Sequence, residues 1–256
     1  MNAADSNEFY IGWEARAPLG IGGFVRRAVA LLLILVATAA VVVAVAQRTI
    51  GVALFEWGSV KTFSGTLKSQ PYPHLLVQRP GRAGNQSAYY LVAPFKFGLK
   101  AEVAKVLDGK AVTLKGTLIY RGNQTMIEVQ PESIKATGAQ VTSTGQSNSL
   151  NFGRQTLVGE IVDSKCYLGV MNPGRLTPHR GCAVRCISGG IPPILLVRQE
   201  AGPPLYFLLV SRDGRPVNKQ VLDMVAEPVQ ITGEVVRQGE LSILRADPST
   251  YKRIQR

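Results

Sequence analysis

Val112-Thr-Leu-Lys-Gly116-Thr-Leu-Ile-Tyr120-Arg-Gly122-Asn-Gln-Thr-Met126-Ile-Glu-Val129 and Val229-Gln-Ile-Thr-Gly233-Glu-Val-Val-Arg237-Gln-Gly-Glu-Leu241-Ser-Ile243-Leu-Arg245 carry one pattern twice. Each is an alternating strand, a turn with a glycine, and a second alternating strand, which is a hairpin signal. Working outward, Phe63-Ser-Gly65-Thr-Leu67 corresponds to Leu157-Val-Gly159-Glu-Ile161, and Tyr89-Tyr-Leu-Val92 to Tyr206-Phe-Leu-Leu209. Between these strands and the hairpin each half has one short helical pattern, Ala101 to Leu107 and Val221 to Val225. Three strands, a helix, then two strands is the order of a small OB-type barrel. The recurring glycine on the opening strand suits the bend that closes such a barrel. The expected fold class is mainly β: tandem small OB-like barrels after one N-terminal transmembrane helix. Two other small barrels, or one larger sandwich, would give a similar pattern. The first barrel is placed at 55–136 and the second at 154–250, with a Cys/His insertion at 164–193. The charge-poor run Thr137 to Gly153 is read as the linker between them.

Ahead of both halves, Ala28 to Ala46 reads AVALLLILVATAAVVVAVA, without a charge. At about 1.5 Å per residue it spans roughly 28 Å, close to a bilayer core. Arg26 and Arg27 precede it and Arg48 follows it, which favours a cytoplasmic leader, 1–27, and an exported remainder. The rival reading is a cleaved signal peptide ending at Ala44-Val45-Ala46. The apolar run is longer than a signal core and its leader carries acids, so the uncleaved anchor is preferred. In that leader, Phe9-Tyr10-Ile11-Gly12-Trp13 suits the inner interface or a partner. The expected location is a bacterial inner membrane with periplasmic soluble domains.

The net charge is +12. Asp5, Glu8 and Glu14 cancel Arg16, Arg26 and Arg27, so the excess lies beyond residue 47. A basic surface suits nucleic acid, anionic lipid or an acidic protein. Export argues against nucleic acid, and no nucleic-acid partner is expected.

All three cysteines fall in the second half. Thr177-Pro178 is a helix start and Gly189 a helix stop, predicting a short helix from Pro178 to about Ser188. On it His179, Cys182 and Cys186 share an arc of about 60°. Cys166, at the end of the opening strand, is placed to be a fourth ligand. Three thiolates and an imidazole are a zinc set, although the spacing is not that of the common zinc fingers. Met171 adds a soft donor nearby and makes copper the competing metal. Lys165, Arg180 and Arg185 are expected to lower the thiol pKa values. Asp163 is expected to orient His179 or to cap the turn. The alternative to a metal is a disulfide from Cys166 to Cys182 or Cys186, stabilising by about 2–4 kcal/mol and leaving one thiol over. A redox-active thiol is the third reading. His74, between Pro73 and Leu75, is read as structural.

Other chemistry finds no support. Gly189-Gly190-Ile191-Pro192-Pro193 follows a helix and lacks the Gly-Lys-Ser/Thr ending of a phosphate loop, so it is a rigid turn. There is no Gly-x-Ser-x-Gly, His-Glu-x-x-His or Cys-x-x-Cys-His. No catalytic residue is assigned, and the balance leans away from an enzyme.

The segment Gly159-Glu-Ile-Val-Asp163, Cys166-Tyr167, His179-x-x-Cys182-x-x-x-Cys186, Gly189-Gly190-Ile-Pro192 resembles a domain recurring in uncharacterised bacterial exported or membrane-anchored proteins. The resemblance runs from Gly159 to Leu209 and leaves the first half untouched. It implies company with membrane redox systems. The expected function is therefore a membrane-anchored accessory or assembly subunit of a membrane redox complex. The alternative is a disulfide-stabilised interaction module, with a thiol oxidoreductase third.

Overall fold

The computed structural model describes residues 19–47, 53–78, 86–138, 149–200, 202–238 and 240–254. The chain falls into two compact units, residues 1–50 and 51–256. The first contains helix α1, Leu19–Gln47, which begins earlier than the apolar run alone indicates. Its stretch Gly20–Ala46 is long and apolar enough to cross a membrane. Leu31, Leu33 and Ile34 are among its exposed side chains, at 65%, 64% and 68%. The aromatic cluster Phe9 to Trp13 lies outside the described residues.

The second unit is two closed five-stranded barrels. In the first, β1 (Ala53–Phe55) is an added strand on the barrel wall, followed by β2 (Lys61–Lys68), β3 (His74–Gln78) and β4 (Gln86–Val92). Helix α2 (Ala101–Val106) leads to β5 (Ala111–Arg121), β6 (Gln124–Val129) and the short β7 (Lys135–Ala136). Antiparallel pairing joins β2 to β3, β3 to β4, β5 to β6 and β5 to β2, and β4 runs parallel to β6. The ring therefore closes.

The second barrel repeats this with β8 (Ser149–Asp163), β9 (Pro193–Val197), β10 (Leu205–Val210), β11 (Pro228–Gln238) and β12 (Leu241–Arg245). Its parallel pair is β10 with β12, and β8 closes on β11. A final short strand, β13 (Lys252–Arg253), pairs with the start of β11. The helical pattern predicted at Val221 to Val225 is only a 3₁₀ turn, Leu222–Met224. Strand order, helix position and the parallel pair are those of two OB-type barrels.

The paired glycines have a steric reason. A Cβ on Gly65 would sit 2.3 Å from the Leu76 carbonyl oxygen, and one on Gly159 would sit 2.6 Å from that of Leu196. Both opening strands press on the second strand at the same step, where only glycine fits.

The linker expectation at 137–153 is corrected at its end. Ser149 to Gly153 belong to β8, because Ser149, Leu150 and Asn151 pair with Gln238, Arg237 and Val236. The side chains of 149–153 are exposed, so no burial alternation announced a strand. Residues 139–148 lie outside the described set.

Three apolar clusters fill this unit. Leu67, Leu75, Leu91 and Leu114 are in the interior of the first barrel, and Ile161, Leu195, Leu209 and Ile231 in that of the second. A third cluster lies between the barrels, with Tyr72, Tyr90, Val92, Ile119 and Met126 against Val162, Tyr167, Ile194, Tyr206 and Leu208. Along β10, Tyr206 and Leu208 face the other barrel while Phe207 and Leu209 face their own. Both faces are buried, so the strand reads as a continuous apolar run. Tyr72 ties the barrels further: its hydroxyl donates to the Leu209 carbonyl at 3.3 Å and accepts from Val217 N–H at 3.1 Å.

Candidate metal centre

The centre is built on an insertion between β8 and β9. Asp163 ends β8, fully buried, and its Oδ1 accepts the Cys166 N–H at 2.8 Å. That bond turns the chain into one wide helical turn, Cys166–Val170. Cys166 thus opens a turn beyond the strand instead of ending it. A 3₁₀ turn, Thr177–His179, then feeds helix α3, Arg180–Ser188. The helix predicted from Pro178 therefore starts two residues later, with its proline in the 3₁₀ lead-in.

The four predicted ligand residues fall into two overlapping groups that share Cys166: His179 and Cys182 lie in one, and Cys186 lies with Asp163 in the other. The Cys166 sulfur lies 3.9 Å from that of Cys182 and 4.0 Å from that of Cys186. Two triads, Cys166, His179, Cys182 and Asp163, Cys166, Cys186, each have their ligand atoms within 4.8 Å of one another. His179 Nε2 is 2.9 Å from Asp163 Oδ2. Asp163 therefore performs both tasks expected of it, capping the turn and holding the imidazole. With Nε2 engaged, Nδ1 is the ring nitrogen left for a metal. A carboxylate behind a histidine is the usual outer partner of a ligating imidazole. The Met171 side chain is exposed, and it is the backbone N–H of Met171 that reaches a cysteine, donating to the Cys166 carbonyl oxygen at 3.0 Å.

The cation at the sulfurs is not one of those expected. Lys165 is buried but turns to Glu128, pairing with its carboxylate and donating to the carbonyls of Ala93 at 3.0 Å and Phe95 at 2.6 Å. Arg180 pairs with Glu227, and Arg185 is exposed. The charge comes from the first barrel instead, where Lys96 Nζ lies 2.7 Å from Cys182 Sγ and 3.9 Å from Cys186 Sγ. Sequence spacing could not find it, because it lies 86 residues from Cys182. The one signal was composition: a lone lysine between two phenylalanines, Phe95 and Phe97, in a short loop.

The loop is clamped. Gly98 N–H donates to the Gly189 carbonyl at 2.9 Å, and a Cβ on Gly98 would meet the Gly190 carbonyl oxygen at 2.3 Å. The Gly-Gly pair read as a rigid turn is therefore also the seat of this loop. Phe95 has a φ of 61°, left-handed for a bulky residue, at a cost of about 1–2 kcal/mol. The ammonium of Lys165 on its carbonyl holds it there.

Protons divide unevenly among the thiols. The hydrogen bond to Cys186, then burial, pushes the Cys166 thiol up. The same bond lowers Cys186, with the Lys96 charge assisting against burial. Lys96 is raised, first by its bond to Cys182. The shared hydrogen bond thus favours the proton on Cys166 over Cys186. His74 is buried, with Nδ1 2.8 Å from the Tyr72 carbonyl oxygen, away from this chemistry.

No family model and no curated protein matches the chain. Among solved structures, a deletion variant of the single-stranded DNA binding protein from Thermus aquaticus aligns with 81% of this chain and 89% of that one, at 12% identity and a TM-score of 0.21. The barrel assignment stands on strand order and register.

Proposed function

We propose that this chain is a membrane-anchored exported accessory protein of a membrane redox complex, whose second barrel holds a metal ion through Cys166, His179, Cys182 and Cys186. The observation that carries the metal reading is the sulfur spacing of 3.9 and 4.0 Å around Cys166, beside a histidine already held by a buried carboxylate. Thiolates bound at about 2.3 Å to one tetrahedral ion sit about 3.8 Å apart. Zinc suits three sulfurs and one imidazole, and copper(I) is the competitor where the sulfurs dominate. Three thiolates and Zn²⁺ leave one negative charge, which the Lys96 ammonium offsets. The role in a redox complex rests on the resemblance of Gly159 to Leu209 and on the apolar helix.

Elemental analysis of full-length protein, purified anaerobically in detergent, tests it. About one metal per chain is expected, lost in Cys182→Ser. Metal-free wild type that also fails to bind added zinc or copper(I) sinks the proposal.

A thiol oxidoreductase is the second reading, favoured by Lys96 against the half-buried Cys182. Both sulfur pairs are about 2 Å longer than a disulfide bond, and all three cysteines are free thiols. Rapid alkylation of one thiol near neutral pH in metal-free protein would support this reading. Uniform reactivity like that of free cysteine removes it.

A further inference from the structure

A second cluster lies on the wall of the second barrel. A β-bulge breaks the β8–β11 register between Glu234 and Val236. Just there Glu234 faces Arg154 on β8 and Arg245 on β12. Arg212, in the turn after β10, joins them around a cavity of about 380 Å³, within the range of about 300–1,000 Å³ usual for ligand sites. Bulges often mark such places because they flare the sheet and re-aim side chains.

The charges around this cavity are not balanced. Lys61, Lys165, Arg180, Arg215 and Arg253 each pair with a carboxylate. Among the described residues, Arg154, Arg212 and Arg245 do not. The Glu234 carboxylate between them accepts the Asn151 amide at 2.5 Å. The neighbouring Asp247 carboxylate is held below its usual pKa first by its bonds to Ser249 and also by the Arg212 charge, so it offsets Arg212 only from a distance. Moreover, the Nε of Arg245 is buried without a hydrogen-bond partner. A buried guanidinium N–H left unmade is costly and rare in a native fold.

We propose that this cavity is a binding site for a phosphate group. Three guanidinium forks exceed what a carboxylate's two oxygens satisfy but match a phosphate, and arginine is the residue suited to paired N–H bonds on that anion. The volume leaves room for an organic arm on the phosphate. The site is independent of the cysteine centre and of any metal there.

The test is calorimetric titration of full-length protein in a neutral detergent with inorganic phosphate at low salt. One saturable site is expected. Arg212→Ala and Arg245→Gln should each weaken it by about tenfold or more. Lys61→Ala removes the same charge from the first barrel and should leave it within about twofold. Arg212 is exposed in a turn, so its variant keeps the fold; far-ultraviolet dichroism checks the other. Short-chain phosphatidylglycerol, with phosphatidylcholine as control, separates the sources. Displacement of phosphate by the former alone identifies a lipid headgroup, and no displacement identifies free phosphate. Absence of saturable binding, or equal weakening by Lys61→Ala, overturns the site.

Discussion

Asp163 is fully buried and spends one oxygen on the Cys166 amide and the other on His179. Replacing it by asparagine removes the charge behind the imidazole while keeping the shape. Metal affinity should fall by about 10–100-fold, read by competition with a chromophoric chelator. Lys96→Met should weaken the same affinity, by about tenfold, since it takes away the counter-charge on the thiolates. An unchanged affinity in both variants would remove the metal from this centre. At Tyr90 the hydroxyl is buried without a partner. Tyr90→Phe should therefore be neutral or stabilise by up to about 1 kcal/mol in urea unfolding. His74 gives a pH dependence of definite sign. Burial lowers its folded-state pKa below 6.5, so the unfolded chain binds the proton first. Its contribution is complete above about pH 6.5 and is lost as pH falls below that toward the folded value. Wild type should lose more stability than His74→Gln between pH 7.5 and 5, measured by denaturant unfolding at each pH.

Among the elements, the hairpins and the short helix were legible because their signals are local. Alternation marks β5, β6, β11 and β12, and Thr177-Pro178 with Gly189 brackets the helical segment. Helical periodicity alone puts Cys182 and Cys186 on one face of α3, whereas His179 belongs to the 3₁₀ turn before it. What escaped is non-local. The start of β8 has no buried face to announce it, and the Ala93 to Gly98 loop takes its shape from the other barrel. Gly98→Ala tests that loop. Its new Cβ would meet a backbone oxygen that has no freedom to move. The variant should lose about 1–3 kcal/mol, and Cys182 should alkylate faster as Lys96 lifts away. Normal stability with unchanged Cys182 reactivity would show the contact to be slack.

For the molecule as a whole, the duplication was readable and the joint between its copies was not. Tyr89 to Val92 and Tyr206 to Leu209 stood out as matched apolar strands, yet single-strand periodicity does not reveal that their outward faces meet. Tyr90, Tyr206 and Leu208 are 1%, 8% and 0% exposed because each barrel covers the other. The second barrel made alone, residues 149–254, should therefore expose that seam and lack a sharp unfolding transition, monitored by near-ultraviolet dichroism. The shared seam also fixes how the intact two-barrel unit melts. Two repeats with separate interiors and one common layer cannot come apart in turn without wetting a tyrosine-rich surface. A calorimeter should register one endotherm whose van't Hoff and measured enthalpies agree. Damage far from the cysteines, on a strand of the repeat that has none, then lowers the temperature at which the sulfur chemistry is lost.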